Sequence, residues 1–326
     1  MARTVAVITG ASSGIGEATA YRLAEAGFDL VLAARRGSVL EEVAGQCRQH
    51  EIDVITVACD VAIEDDVDRV AQAAVDAFGH FDVWINNAGV GMVGAFTEIP
   101  SELFRRVVET NFFGYVYGTR AALRQFKIRE QGTVINIDSV FGAYASPYES
   151  AYVASKHAIR GFSASLRQEL DLQGFQHVDV CTVLPASIDT PFYRNAANNT
   201  GREVKAVRPL YKPELVAEAV YQLTQRPLTE VYVGRAGRSA AFLRAITPGA
   251  VFERAFGRLM DMSHFRSRPA EPTSGNVFSP SDNTGVHGSW PHMSPRRKMV
   301  VAGMAVGLVS AVWLLSRNRQ AKDSEM

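Results

Sequence analysis

Tyr152 and Lys156 stand four residues apart in "SPYESAYVASKHAIRGFSASLRQEL", on one face of any helix this stretch forms. A phenol with a reference pKa of about 10 is a poor base at neutral pH unless a neighbouring cation stabilises the phenolate, and Lys156 can be that cation. The spacing by itself recurs by chance in many helices. Ser139, in "VINIDSVFG" at the end of a strand-like run, is either a turn serine or a donor to a reacting carbonyl oxygen. Asn111, in "VVETNFFGYVYGTRAAL", interrupts a helical pattern in which Asn is a poor former. It serves either as a cap or kink stabiliser, or to hold a water beside Lys156. Taken together, the four residues describe proton transfer at a carbonyl or alcohol oxygen.

The amino end of the chain carries a second pattern, one that suits a dinucleotide. In "VAVITGASSGIGEATAYRLAEAG", Gly10, Gly14 and Gly16 fall between a first strand and a first helix. A tight turn there lets the helix N-terminus, with its free N–H groups, meet a pyrophosphate. The second strand ends "VLAARRGS", where Ala34 replaces the carboxylate that would bind a ribose 2′-hydroxyl and Arg35 and Arg36 follow. Two arginines suit a 2′-phosphate, so NADP(H) is expected over NAD(H), unless these side chains only solvate a turn. Asp60, ending the third strand with Val61, fits an adenine amino group or a helix N-cap equally well. Asn87, Ala88 and Gly89, in "INNAGV", end the fourth strand either as turn formers or as a close approach for the cofactor.

The elements that must position these groups are legible as an alternation. Strand-like runs begin at Val5, Asp29, Asp53, Phe81, Gly132, Val178 and Glu230, separated by amphipathic helical stretches. Repeated βα units of this kind make an α/β fold with a parallel sheet covered on both faces.

With these residues in hand, the chain resembles the short-chain dehydrogenase/reductase family over about residues 4 to 235. The resemblance rests on Thr9-Gly10-x-x-x-Gly14-x-Gly16, Asp60, Asn86-Asn87-Ala88-Gly89, Asn111, Ser139 thirteen positions before Tyr152, Tyr152-x-x-x-Lys156 and Asp189-Thr190. It implies a Rossmann-type doubly wound seven-stranded sheet of order 3-2-1-4-5-6-7 and hydride transfer between nicotinamide and an alcohol or carbonyl. Tyr152 would be the acid/base, Lys156 would lower its pKa and bind the nicotinamide ribose, Ser139 would polarise the substrate, and Asn111 would support a proton relay. The cofactor set would comprise Thr9, Gly10, Ser12, Ser13, Gly14, Ile15 and Gly16, then Arg35, Arg36, Asp60, Val61, Asn87, Ala88 and Gly89, with Tyr152, Lys156, Pro185, Ile188 and Thr190. Two departures stand out. Ala186 follows Pro185 where the family usually has Gly, which would tighten the nicotinamide pocket. Ser13 stands where many NADP-preferring members carry a basic residue, so Arg35 and Arg36 bear the cofactor preference alone.

The substrate wall is expected from Phe141, Tyr144, Phe192 and Tyr193, aromatics that suit a hydrophobic alcohol or ketone, lipid, steroid or retinoid in kind, although loop aromatics also close cores. Composition sets the remaining bounds. With 47% hydrophobic and 21% charged residues and a formal net charge of zero, the chain is globular, and nothing points to nucleic acid. Cys47, Cys59 and Cys181 lack CxxC spacing, so neither a disulfide framework nor a metal site is expected. Residues 1–233 carry 21 Lys/Arg against 28 Asp/Glu, and residues 234–326 carry 13 against 6. The basic, apolar-interleaved stretch 234–268 suits either anionic headgroups or a subunit interface or pocket lid.

The expected organisation is a catalytic domain over 1–262, a flexible linker over 263–298, whose Pro, Ser, Gly and Asn content prevents periodicity, a transmembrane helix over 299–315, and a polar tail over 316–326. Met299 to Leu315 is uncharged and rises about 25 Å as a helix, the short limit for a hydrocarbon core of about 30 Å. Flanking Arg296, Arg297, Lys298, Arg317 and Arg319 can snorkel, and Trp313 suits an interface. "MARTVAVITG" shows no signal-peptide h-region, so a single-pass C-terminal anchor with the catalytic domain on the cytosolic side is the expected arrangement. A homodimer or homotetramer is left open. The competing class of function is a membrane-tethered NADP(H)-binding scaffold or sensor without turnover, which would need none of Asn111, Ser139, Tyr152 and Lys156 together.

Overall fold

The computed structural model describes residues 3–290. In chain order the strands are β1 (Val5–Thr9), β2 (Asp29–Ala34), β3 (Val54–Ala58), β4 (Val83–Asn86), β5 (Met92–Gly94), β6 (Gly132–Ile137), β7 (Val178–Pro185), β8 (Ala197–Asn199), β9 (Arg202–Val204), β10 (Glu230–Val233) and β11 (Phe265–Pro269). The helices are α1 (Gly14–Glu25), α2 (Gly37–Cys47), α3 (Glu64–Phe78), α4 (Ser101–Val108), α5 (Gly114–Arg129), α6 (Ser150–Leu172), α7 (Phe192–Asn195), α8 (Pro213–Gln225), α9 (Arg235–Ile246) and α10 (Gly249–His264). Seven strands make one sheet in the order β10-β7-β6-β4-β1-β2-β3. Every pair in it is parallel. Counted among the sheet's own strands, this is the expected order 3-2-1-4-5-6-7.

The physical reason is visible in β1. All five of its residues are buried. Ala6 and Ile8 enter the core beneath α1 and α8, with Leu23, Val216 and Val220, while Val5 and Val7 enter the opposite core, with Val67, Phe126 and Leu170. Successive side chains point to opposite faces of a strand, so only a continuously apolar run can serve a sheet covered on both sides. The covering helices are one-faced. In α3, Val67, Val70 and Ala74 are buried, Glu64, Asp65 and Asp66 sit in the first turn, where they oppose the helix dipole, and Gly79 closes the helix at φ +76°. Strand order reverses between β1 and β4, which places a crevice at the carboxyl ends of these strands.

Beyond residue 262 the structure departs from the expected flexible linker. Strand β11 pairs antiparallel with β9. Thr273 and Asn198 exchange both backbone hydrogen bonds, at 2.9 and 3.0 Å. Val277 is 0% and Trp290 9% exposed. Strand β11 shows that a Pro- and Ser-rich composition does not by itself prevent regular structure, and the rest of the segment is ordered where its backbone groups and a few apolar side chains find partners on the domain. Among the described residues no helix is long and apolar enough to cross a membrane. The expected transmembrane run 299–315 and tail 316–326 lie outside the described residues.

Candidate active site

The glycine turn after β1 is built by close approach. Gly10 has φ +67°, and a Cβ on it would meet the Ala88 backbone at 2.7 Å. A Cβ on Gly16 would collide with the Gly10 carbonyl and the Asn87 amide. Asn87 Nδ2 donates to the carbonyls of Thr9 at 2.9 Å and Gly10 at 3.2 Å, and Thr9 Oγ1 accepts from the Asn87 N–H at 3.0 Å. Thr9 and Asn87 therefore lock the β1 and β4 ends together. Ser13 is the N-cap residue of α1, with its side chain making no cap bond. Asn86 instead joins a buried network with Trp84, Thr119 and Asn136, a structural use of its amide.

One crevice of about 190 Å³ collects Gly10, Ser12, Ser13, Gly14, Ile15, Arg35, Arg36, Asp60, Val61, Asn87, Ala88, Gly89, Tyr152, Lys156 and Thr190 in its wall. Of the expected cofactor set, Thr9, Gly16, Pro185 and Ile188 are not part of that wall. Asp60 sits in the turn before α3, whose N-cap residue is Ile63. The Asp60 Oδ1 accepts from the Ala62 N–H at 3.1 Å within that turn, while the carboxylate pairs with Arg106. Ala186 does not tighten the crevice, because its Cβ lies against Gly234 and Gly237. Burial lowers the pKa of Arg35, with Asp60 opposing the shift, and lowers that of Arg36. Half-buried guanidiniums of this kind are stabilised by a nearby anion, which is what a 2′-phosphate offers.

At the other end of the crevice, β6 and α6 bring Ser139, Tyr152 and Lys156 together. Lys156 is 4% exposed. Its Nζ donates to the Ile137 carbonyl at 2.8 Å and lies 5.6 Å from the Tyr152 ring centroid and 5.0 Å from that of Tyr115. The Ser139 side chain accepts from the Phe141 N–H at 3.1 Å. Burial holds the Tyr152 hydroxyl above the usual phenol range, and Ser139 opposes that shift. The expected lowering by Lys156 is not the dominant influence in this arrangement. Asn111 lies in a π-helical turn, Glu109–Phe113, between α4 and α5. Its amide clasps the loop after β4, accepting from the Val90 N–H at 2.8 Å and donating to the Val90 carbonyl at 2.9 Å, with Ser155 Oγ at 3.3 Å. This is the kink-stabilising role, and π turns of this kind recur at functional sites.

Three titratable residues at the site were not anticipated. Asp138, directly before Ser139, is 3% exposed, and neither carboxylate oxygen has a hydrogen-bond partner. Burial raises its pKa and lowers that of Lys156, and the two groups each offset the other's shift. A carboxylate ending the run "VINID" was the available signal. Glu149 and His264 face each other, Oε1 to Nε2 at 3.3 Å, with 2% and 3% exposure. Burial pushes the Glu149 carboxyl up to about 8 and the His264 imidazole down to about 4. Their separation in sequence left no signal for this pairing.

The aromatics expected to line the substrate wall divide. The Phe192 ring is 5.3 Å from that of Tyr152, and Tyr193 joins Phe192 at 5.3 Å and His264 at 5.1 Å. Phe141 and Tyr144 pack with Phe252 and Phe256 under α10, the core-closing alternative. Tyr144 and Phe252 also edge a wider groove of about 780 Å³, together with Arg238 and Arg244 of the basic stretch; its wall contains none of Ser139, Tyr152 or Lys156.

A parallel sheet with a glycine turn at its switch point and a Ser-Tyr-Lys group across the crevice defines a dinucleotide-dependent oxidoreductase fold. Residues 4–201 match the short chain dehydrogenase family, and the chain belongs to it. It is 34% identical over 318 residues to the "Uncharacterized oxidoreductase YxnA" of Bacillus subtilis, covering 94% of this chain and 89% of that one. It is 34% identical over 260 residues to "Dehydrogenase/reductase SDR family member 7B" of Bos taurus, covering 76% of this chain and 79% of the relative. Among solved structures, an alcohol dehydrogenase from the archaeon Thermococcus sibiricus, complexed with 5-hydroxy-NADP, superposes with a TM-score of 0.62 at 30% identity, covering 71% of this chain and 96% of the other. A short-chain dehydrogenase from Streptomyces avermitilis gives a TM-score of 0.65 at 26% identity, covering 76% and 94%. The family and the cofactor-complexed relative support a nicotinamide cofactor, and an enzyme acting on alcohol or ketone groups.

Proposed function

We propose that this chain is an NADP(H)-dependent reductase or dehydrogenase of a hydrophobic alcohol or ketone. The observation that carries the reading is the joining, in one crevice, of Arg35 and Arg36 at one end with Tyr152 and Lys156 at the other. The missing acid at Ala34 and the half-buried guanidiniums support NADP(H), as does the NADP-type ligand of the archaeal relative. Phe192, beside Tyr152, supports an apolar substrate.

When bound, the nicotinamide supplies the hydride that goes to the substrate carbon. The chain's own work is at the oxygen. The Ser139 hydroxyl donates to the carbonyl oxygen and stabilises the charge that develops there. Tyr152, kept protonated by burial, gives its proton to that oxygen in the reductive direction and recovers it in the oxidative one. Lys156, anchored on the Ile137 carbonyl, brings a cation beside the phenol and is placed to hold the nicotinamide ribose. Asn111 positions the Val90 loop opposite.

The test is Tyr152→Phe in the full chain, assayed with NADPH against a panel of lipophilic ketones. Turnover falls by about 10²–10⁴-fold, the usual worth of a positioned acid, while NADPH binding stays within about twofold. Retained turnover refutes the assignment. The uncharged run Met299–Leu315 is the reason to add a membrane tether to this reading.

A further inference from the structure

We propose that residues 273–290 form an intramolecular strap that occupies the dinucleotide crevice and must lift before a cofactor can be held there; this rests on the reading of that crevice as the nicotinamide cofactor site. The strap meets the crevice at three places, in chain order. At the expected phosphate end, Arg35 Nη2 donates to the Asn276 carbonyl at 2.7 Å, and Arg36 Nη1 donates to the Ser281 carbonyl. At the amino end of α1, the Gly14 N–H donates to the Gly285 carbonyl at 3.0 Å, and Ser13 and Gly285 are paired as a parallel bridge. At the expected nicotinamide end, Trp290 Nε1 donates to the Thr190 carbonyl at 3.0 Å, beneath the Arg194 guanidinium, 4.6 Å from the ring.

Two further observations give the strap a direction of action. With it in place the crevice measures about 190 Å³, below the roughly 300–1,000 Å³ typical of small-molecule and cofactor sites. Its near end is pinned independently of the crevice, by the Thr273–Asn198 backbone pair and by Val277, which is fully buried with Val90 and Met92. The part from 278 to 290 can therefore leave while 273–277 stays, which frees Arg36, the Gly14 N–H and the Thr190 carbonyl while Arg35 keeps its bond to the Asn276 carbonyl. A donor satisfied by a strap carbonyl is not available to a phosphate oxygen. For the Gly14 N–H a bond to phosphate is charge-assisted and roughly twice as strong as its bond to the Gly285 carbonyl, and the guanidiniums gain with a phosphate an ion pair that a carbonyl does not offer, so the dinucleotide displaces the strap rather than being excluded by it. Its apparent affinity is the intrinsic one reduced by the fraction of chains that are open. Cofactor loading is thus set by the chain's own carboxyl-terminal segment.

The test uses the full-length protein and binding, not turnover. Ser13→Cys with Gly285→Cys joins two residues on neighbouring paired backbones about 4.8 Å apart, within the roughly 4.4–6.8 Å Cα span of a disulfide. Once thiol titration confirms the bond, NADPH binding, read by cofactor fluorescence, is lost, and dithiothreitol restores it. Trp290→Ala removes one of the far end's contacts and leaves the Arg194 bonds to the Gly288 and Ser289 carbonyls, and it tightens binding about fivefold, the worth of one neutral hydrogen bond. Hydrogen exchange over 278–290 rises in that variant, and in the wild type on adding NADPH. An oxidised double variant that binds as well as its reduced form overturns the proposal, as does weaker binding by Trp290→Ala or slower exchange with NADPH, either of which would make the segment a wall over bound cofactor. NADH run in parallel separates the readings. Tighter binding of NADH than NADPH refutes only the NADP preference, whereas no binding of either by wild type or Trp290→Ala refutes the cofactor reading and the strap with it.

Discussion

Glu149→Gln tests the buried acid–imidazole pair near Tyr152 through stability. Glu149 is 2% exposed, its carboxyl oxygens have no hydrogen-bond partner, and its nearest polar neighbour is His264 Nε2 at 3.3 Å. Burial pushes the carboxyl up to about 8 from its ordinary 4.5. Between those values the folded chain holds a proton that the unfolded chain has released, so this group's contribution is fully present below pH 4.5 and is lost as pH rises through about 8. At about 1.4 kcal/mol per pH unit, the loss by pH 7 is on the order of 3 kcal/mol. Gln cannot ionise, so the unfolding free energy of Glu149→Gln, relative to wild type, climbs by about that amount from pH 4.5 to pH 7. His264 works in the opposite sense. Its imidazole is held down at about 4, so its contribution is lost as pH falls from 6.5 through 4 and no longer varies above pH 6.5, where the slope of the difference reports Glu149 alone. Equilibrium urea unfolding of both proteins from pH 5 to pH 8 is the assay. Any hydrogen bond that Gln gains or loses shifts the difference curve vertically and leaves its slope. Parallel curves across that range would refute the reasoning, because they would mean that Glu149 is already ionised in the folded chain.

Arg36→Ala removes a guanidinium from the expected phosphate end, and a charge-assisted bond is worth about 1.5–3 kcal/mol, so NADPH binding weakens by roughly 10- to 150-fold while NADH binding changes little. Titration calorimetry with both dinucleotides checks this, and equal losses for the two would show that Arg36 does not select a 2′-phosphate. If Met299–Leu315 is an anchor, full-length protein expressed in cells pellets with membranes and is released by detergent but not by alkaline carbonate; release by carbonate would remove the tether from the proposal.

Helix and turn geometry explain why the positions of Tyr152, Lys156 and the glycines could be read from local spacing and their environment could not. Tyr152 and Lys156 fall on one helical face wherever α6 goes, and Gly10 and Gly16 mark a turn that only glycine can fill at the distances the structure shows. Asn111 was recognisable as an anomaly, but its choice of partner, the Val90 backbone, required the π turn to bring it there. Phe141 and Tyr144 had the same apolar character as Phe192 and Tyr193, and only the placement of α10 sent the first pair into a core cluster.

By itself, the sequence determined the seven-stranded parallel sheet, because continuous apolar strands alternating with one-faced helices bury both sheet faces in only a few ways, and it determined the Ser139, Tyr152 and Lys156 set, because their spacing is local. Tertiary structure alone decided that Glu149 meets His264, that Asp138 shares its burial with Lys156, and that a Pro- and Ser-rich segment folds back on Arg35 and Arg36. Each of those depends on which polar groups lose water together once distant parts of the chain are packed, and a side chain's desolvation has no periodicity along the sequence.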